Sequence, residues 1–348
     1  FYSDLPKGYQ ITQDRRPIGS NGYLDLVLEN GTKRVNIERL HMEEDTAKQI
    51  HLAEFTLIDY NRAGLPLVEI VTKPDIRSGE EAMAFVEAIR EIVTFTNVSD
   101  GKMEEGSLRC DVNISLRPIG SAKFGTKVEV KNLNSISNIG KVIDAEIKRQ
   151  STLLDEGKEI LSETRRYDES VKDTVLMRLK DDGVDYKYFP EGNIAPITLE
   201  KDYVAKVISA MPELPNEKKK RYLNEYKLNN HEVNIILQSK DLTLYFDEAT
   251  KFTTHYKTLI NWVIGEVSAY LNKEGKTIKD ISLVPQNLAK LVNLVNDGKL
   301  SNAQAREVFN AIVMTNDDPE AKAKALNLVQ VSDTDFILKV INEVIDEN

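Results

Sequence analysis

Strict alternation over residues 107–117 constrains this chain more than any other feature. Leu108, Cys110, Val112, Ile114 and Leu116 fall on one side of an extended backbone, and Arg109, Asp111, Asn113, Ser115 and Arg117 on the other. Successive strand side chains point to opposite faces, so the segment reads as a strand with one apolar and one polar face. Thr126–Lys131 repeats the design, with Val128 and Val130 against Lys127, Glu129 and Lys131. Such a pair suits an antiparallel sheet with one wet face. That face either meets solvent or lines a cleft.

Further strand signals precede and follow. Gly22–Glu29 and Lys33–Leu40 flank Asn30-Gly31, the strongest short hairpin signal, and Val35 and Ile37 share one face. His41-Met42-Glu43-Glu44-Asp45 then sits at a strand end, as a solvated loop or as side chains converging on a cleft. His51–Asp59 reads as another strand. Residues 162–167, 174–179 and 185–189 add more, with Asp182-Gly183 turning between the last two. Ser78-Gly79-Glu80-Glu81 is a capping box opening a helix to about Thr96, whose stripe is Ala82, Phe85, Val86, Ile89, Ile92 and Val93. Asn134 or Ser135 caps a second helix to about Leu154. Strands and helices mix without a βαβ repeat, so the fold class is α+β with a largely antiparallel mixed sheet.

At 348 residues the chain is too long for one ordinary core. Met211-Pro212-Glu213-Leu214-Pro215 marks a change to helical patterning. Leu259, Val263, Val267, Tyr270 and Leu271 form one stripe beside Trp262, Pro285 suits a first turn, and Ser301–Gln304 and Ser332–Asp335 look like capping boxes. The expected division is 1–211, 212–328 and a further helical start at 329–348. The net charge of −10 lacks a nucleic-acid signature, leaving Lys218-Lys219-Lys220-Arg221 as the dense basic run for phosphate contact. A single cysteine, Cys110, excludes a disulfide framework and fits a reducing, cytoplasmic setting. No apolar run approaches the ~20 residues of a membrane span.

The chemistry concentrates in Ile58–Ile70, where Asp59, Asn61 and Arg62 precede Gly64 and the apolar run from Leu65 is interrupted by Glu69. A carboxylate in such a run either faces water on an edge strand or is paired or metal-bound. No complete phosphate-binding loop exists: Gly275-Lys276-Thr277 ends like one, but Tyr270 stands where the first glycine belongs. Cys110 lies on an apolar strand face, as packing. Carboxylates, Lys/Arg and amides without a nucleophile fit phosphoryl transfer by positioning.

The Ile58–Ile70 stretch, Leu40–Asp45, Lys102–Asn113, Lys131–Ser135 and Glu163–Glu169 resemble, in order, sequence blocks of the GatB/GatE family, the B subunit of glutamyl/aspartyl-tRNA amidotransferases. The resemblance covers essentially the whole chain. It implies a subunit that phosphorylates the side-chain carboxylate of Glu-tRNA(Gln) or Asp-tRNA(Asn) with ATP and replaces the phosphate by ammonia. It implies a heterotrimer with a glutaminase A subunit and a small C subunit, and ATP and Mg2+ as cofactors. Glu44 and Glu69 align with family metal ligands and are the expected catalytic pair. Arg109, Asp111 and Lys127 are expected at the nucleotide, and Lys7 on the ammonia route. Relatives carry a preceding Gly-Leu-Glu-x-His segment and a longer helical tail, so the chain reads as a fragment of the subunit. A non-catalytic tRNA-binding scaffold is the competing reading.

Overall fold

The computed structural model describes residues 3–13, 15–179 and 191–329. The chain divides into two compact units, Phe1–Ala210 and Met211–Asn348. The first contains β1 (Gly19–Leu28), β2 (Gly31–Glu44), β3 (Lys48–His51), β4 (Thr56–Asp59), β5 (Pro66–Thr72), α1 (Gly79–Phe95), β6 (Cys110–Ile114), β7 (Val128–Leu133), α2 (Ile136–Asp155), β8 (Glu163–Asp168), β9 (Asp173–Leu179) and α3 (Tyr203–Ala210).

The Asn30-Gly31 hairpin forms, with Gly31 at φ 127° and β1 antiparallel to β2. Strand β2 runs past Leu40 to Glu44 because β5 pairs with it as far as Glu44↔Pro66. The first sheet has the order β1-β2-β5. His51–Asp59 is a hairpin and not one strand: Lys48 pairs with Asp59 and His51 with Thr56. The Leu52 N–H donates to the Phe55 carbonyl at 2.8 Å, closing the turn that breaks the strand.

The second sheet has the order β6-β7-β8-β9. Its strand β6 is shorter than the alternation suggested, since pairing with β7 spans only Cys110↔Leu133 to Ile114↔Val128. Alternation holds within it: Cys110, Val112 and Ile114 are half-buried, Asp111 and Asn113 exposed. Strands β7 and β8 are parallel and joined through α2, a βαβ crossover absent from the sequence-based picture. Residues 185–189 and the Asp182-Gly183 turn lie outside the described residues.

Helix α1 serves both sheets. Its Phe85 and Ile89 pack with Leu24, Leu26 and Val35 of the first. Its Ala82 packs with Val128, Val130 and Ile139 beneath the second. Ser78 caps the helix by accepting from the Glu81 N–H, but the Glu81 carboxylate accepts from the Arg77 N–H, so only half of the expected box forms. Helices α1 and α2 meet at two glycines: a Cβ on Gly79 would stand 3.0 Å from the Gly140 Cα. Ser135 caps α2. Lower on α2, the fully buried Glu146 accepts from Arg149, Gln150 and Thr174, with Arg165 of β8 at 3.3 Å. Burial pushes its carboxyl up, but those donors outweigh it and hold it below the usual carboxylate range. The Glu163–Glu169 block thereby ties β8 to α2.

The second unit holds α4 (Pro215–Asn224), α5 (Asn230–Leu237), α6 (Lys240–Ala249), α7 (Tyr256–Asn261), a π turn (Trp262–Val267), α8 (Ser268–Glu274), α9 (Pro285–Asn296), α10 (Asn302–Ile312) and α11 (Pro319–Ala325). Among its described residues there is no strand. Pro285 opens α9, and Ser301 with Gln304 forms the complete capping box. Ser332–Asp335 lies outside the described residues. The basic run is not a free surface. Lys218 is buried and paired with Glu213 and Asp247, Arg221 bonds the same two carboxylates, and Lys220 pairs with Glu217. Asp247 also accepts from the hydroxyl of the fully buried Tyr222 at 2.7 Å.

These contacts set the cost of three substitutions. Gly79→Ala meets backbone that cannot yield, and we expect a loss of about 1–3 kcal/mol. Gly140→Ala meets the end of Met83, with the sulfur 2.9 Å from the new Cβ. Thioether side chains adapt and alanine favours helix, so that variant should unfold near wild type in urea. Equal losses for both would contradict the crossing. Asp247→Asn strips the anion from Lys218 and Arg221 and should cost about 3 kcal/mol. Calorimetry should show that loss in a transition assigned to the helical unit.

Candidate active site

The site depends on an irregularity in β2. Ile37 pairs with Thr72, yet Arg39 pairs with Val71, so β2 spends one residue more than β5 across that step. An inserted residue reverses the alternation beyond it. Ile37 and Ile70 both pack on the α1 side. Beyond the bulge, His41, Glu43 and Asp45 therefore fall on the opposite face, together with Glu69, the direct partner of His41.

On that face one ligand atom each from His41, Glu43 and Glu69 lie within 4.8 Å of one another. Donors around a divalent cation sit about 2.0–2.6 Å from it, so the three fit a shared ion. His41 is 2% exposed, and its Nε2 lies 3.1 Å from Glu69 Oε2. Its buried Nδ1 has no hydrogen-bond partner among the described residues. Burial, then the charges of Glu69 and Asp45, push the Glu43 carboxyl above its ordinary value, against a lowering by Arg109. Burial is the largest of these causes, and the neighbouring carboxylates add to it.

Beside the acids stands a basic pair. Asp45, 5% exposed, accepts from Arg62 Nε at 3.1 Å and Nη2 at 2.8 Å. It also accepts from Arg109 through Nη1 at 3.0 Å and through Nη2. Three of the sequence blocks meet at this one carboxylate. The Tyr60–Gly64 turn is stitched to it through the Gly64 N–H to the Asp45 carbonyl, 2.9 Å, and the Asp45 N–H to the Leu65 carbonyl, 2.8 Å. Gly64 sits at φ 81° and Gly106 at φ 76°, a left-handed backbone suited to glycine. A Cβ on Gly106 would stand 3.1 Å from Arg62 Nη1.

The expected residues distribute as follows. Glu69 is in the cluster. Glu44 pairs with Pro66 and falls on the other face from Glu69, so the structure brings Glu69 to Glu43 and not to Glu44. Glu44 bonds Lys7 and accepts from the Ile11 N–H at 2.6 Å, while the Gln10 amide donates to its carbonyl. Lys7 is thus tied to the strand end. Arg109 reaches the site through Asp45. Asp111 is 3.0 Å from Lys131, which also faces Glu129 at 3.5 Å. Burial alone would lower the Lys131 ammonium, but Asp111 and Glu129 outweigh it and hold it above the ordinary lysine value. Lys127 is exposed just before β7 and forms no ion pair among the described residues. Burial pushes the Cys110 thiol up to about 12, so it is no nucleophile near neutrality. His41, Glu43 and Asp45 had no role assigned from the sequence, and only the bulge reveals the face these three share.

Among the described residues no helix is long and apolar enough to cross a membrane. Residues 1–205 match the family model described as the GatB/GatE catalytic domain, and residues 244–348 match that of a GatB domain. Curated relatives align along the whole chain. The B subunit of the aspartyl/glutamyl-tRNA(Asn/Gln) amidotransferase of Mycoplasma mycoides is 49% identical over 350 residues, covering 100% of this chain and 73% of the relative. Its namesake in Oceanobacillus iheyensis is 46% identical over 349 residues with the same coverage. With matches of this extent, the chain belongs to the GatB/GatE family of amidotransferase B subunits.

Proposed function

We propose that the chain carries the kinase and amidation steps of an aminoacyl-tRNA amidotransferase. It activates the side-chain carboxylate of Glu-tRNA(Gln) or Asp-tRNA(Asn) with ATP and exchanges the resulting phosphate for ammonia. The ammonia comes from a glutaminase A subunit, held with this chain and a small C subunit in a cytoplasmic heterotrimer. The relatives' printed name supports the substrate class. The observation that carries the reading is the meeting of two poles: His41, Glu43 and Glu69, suited to a cation, beside Arg62 and Arg109, suited to an anion. A metal nucleotide presents both charges.

The chemistry needs no protein nucleophile. The substrate carboxylate oxygen attacks the terminal phosphorus, the bond to the bridging oxygen breaks and ADP leaves. Ammonia then attacks the acyl carbon, phosphate departs with the C–O bond electrons, and the added nitrogen gives up a proton. A carboxylate lacks a good leaving group, and acyl phosphate supplies one. Magnesium, when bound, would offset charge between the phosphates and the attacking carboxylate. His41, Glu43 and Glu69 would hold it, and the imidazole nitrogen also suits manganese. Arg109 would orient phosphate oxygens by charge-assisted hydrogen bonds, with Asp111 and Lys127 toward the nucleotide on the same strand faces. The scaffold reading draws little support from the basic run, since Lys218 and Arg221 are held by Glu213 and Asp247 within the helical unit.

The cation site is tested by thermal unfolding. Magnesium or manganese should raise the Tm of the wild type and of Glu44→Gln, and leave Glu43→Gln and Glu69→Gln unmoved. A raised carboxyl pKa means stability that is present at low pH and lost as pH rises through the folded value. Glu43→Gln should therefore be more stable than wild type at neutral pH without added metal. A cation shift lost in Glu44→Gln and kept in Glu43→Gln would reverse the assignment.

The reaction is tested in the full-length subunit within its complex, with saturating mischarged tRNA and free ammonium to bypass the glutaminase. Glu69→Gln should slow ADP release and amidation at least about a hundredfold, with glutamine hydrolysis still detectable. Amidation at the wild-type rate would remove Glu69 from the activating site.

A further inference from the structure

We infer that Arg62 and Arg109 form a two-pronged clamp for the transferring phosphate, with Asp45 as the positioning residue that holds both guanidiniums. This rests on the ATP-dependent reading above and adds to it the roles of Arg62 and Asp45.

Asp45 alone takes hydrogen bonds from two guanidiniums. Glu43, which also feels Arg109, and Glu69 belong to the acidic cluster, so a cation held there would leave surplus positive charge on the arginine side. The arginine side chains remain 43% and 47% exposed, whereas that of Asp45 is 6% exposed. A structural ion pair would be complete with one arginine. A second cation brought to the same carboxylate meets repulsion from the first. An oxyanion between the prongs relieves it.

The local backbone is arranged around that pairing. Arg62 lies in a turn bonded in both directions to Asp45, so its guanidinium enters from a fixed direction. Arg109 is braced from the other side, its Nε donating to the Gly106 carbonyl at 3.3 Å. Gly106 is also where a side chain would crowd Arg62 Nη1. Arg62 spends Nε and Nη2 on a single Asp45 oxygen, Oδ2. Asp45 continues the alternation of His41 and Glu43, so the clamp adjoins the cation cluster along one strand face. A tetrahedral phosphoryl group, carrying more charge than a carboxylate, suits two planar donors set beside a metal site.

The test uses the full-length subunit in its complex, with Arg62→Gln, Arg62→Lys and Asp45→Asn. The clamp predicts that Arg62→Gln weakens binding of a non-hydrolysable ATP analogue and of inorganic phosphate at least tenfold and raises the KM for ATP, while ADP, which lacks the transferred group, binds nearly as to the wild type. It predicts an unchanged manganese-induced Tm shift and partial recovery in Arg62→Lys. Asp45→Asn should weaken nucleotide binding similarly through disordered arginines. Should that variant not fold, Arg62→Gln decides alone. Loss of ADP affinity without loss of phosphate affinity would place Arg62 at another part of the nucleotide and overturn the clamp. So would a Tm loss with wild-type affinity for the ATP analogue and for phosphate and a wild-type KM, the mark of a merely structural pair. If the wild type itself consumes no ATP with mischarged tRNA, the functional reading fails first, and the clamp with it.

Discussion

The extra residue in β2 is the constraint on which the site depends. Before it, Val35 and Ile37 face α1 and contribute to the core. Beyond it, the same odd-numbered positions turn away, and His41, Glu43 and Asp45 line a polar face with Glu69. A single strand thus changes from core packing to a polar, acidic face within a few residues. Strand pairing makes the arrangement rigid, since His41 and Glu69 are direct cross-strand partners. Sites on strands hold their geometry better than sites on loops.

Two carboxylate systems of the first unit differ in how their charge is met: Glu146 is fully buried, whereas Glu43 is half-buried and Glu69 exposed. Glu146 meets arginine, amide and hydroxyl donors at once, and its carboxyl is held low. That network clamps β8 and β9 to α2, and nothing in it calls for a ligand. The Glu43 carboxyl is pushed up by burial and by its acidic neighbours. The first arrangement is settled by the protein alone, and under the proposed function a cation would settle the second. Strain of this kind is common where a group's charge is needed for chemistry.

Much of the fold was legible because side-chain alternation and turn chemistry are local. The Asn30-Gly31 hairpin, the caps at Ser135 and Ser301, and the α1 stripe all follow from a few neighbouring residues. What was not legible depends on distant partners. The parallel placement of β8 beside β7 cannot be read from either strand. Extending the Val35 and Ile37 pattern by twos puts His41 and Glu43 on the α1 side, and the bulge puts them on the other face. Lys218 and Arg221 read as exposed charge until Glu213 and Asp247 meet them. The gathering of Arg62 and Arg109 on Asp45 joins residues far apart in the chain, so their blocks could be recognised singly but not as one group.

The central claim is that the cation belongs to the face carrying Glu43 and Glu69. Anomalous diffraction from the full-length protein crystallised with manganese measures this most directly. The account predicts an anomalous peak within bonding distance of His41 Nε2 and of one oxygen each from Glu43 and Glu69, on the side of the sheet away from α1. A peak bonded to Glu44 without Glu43, or none near these strands at full manganese occupancy of the protein in solution, would contradict it.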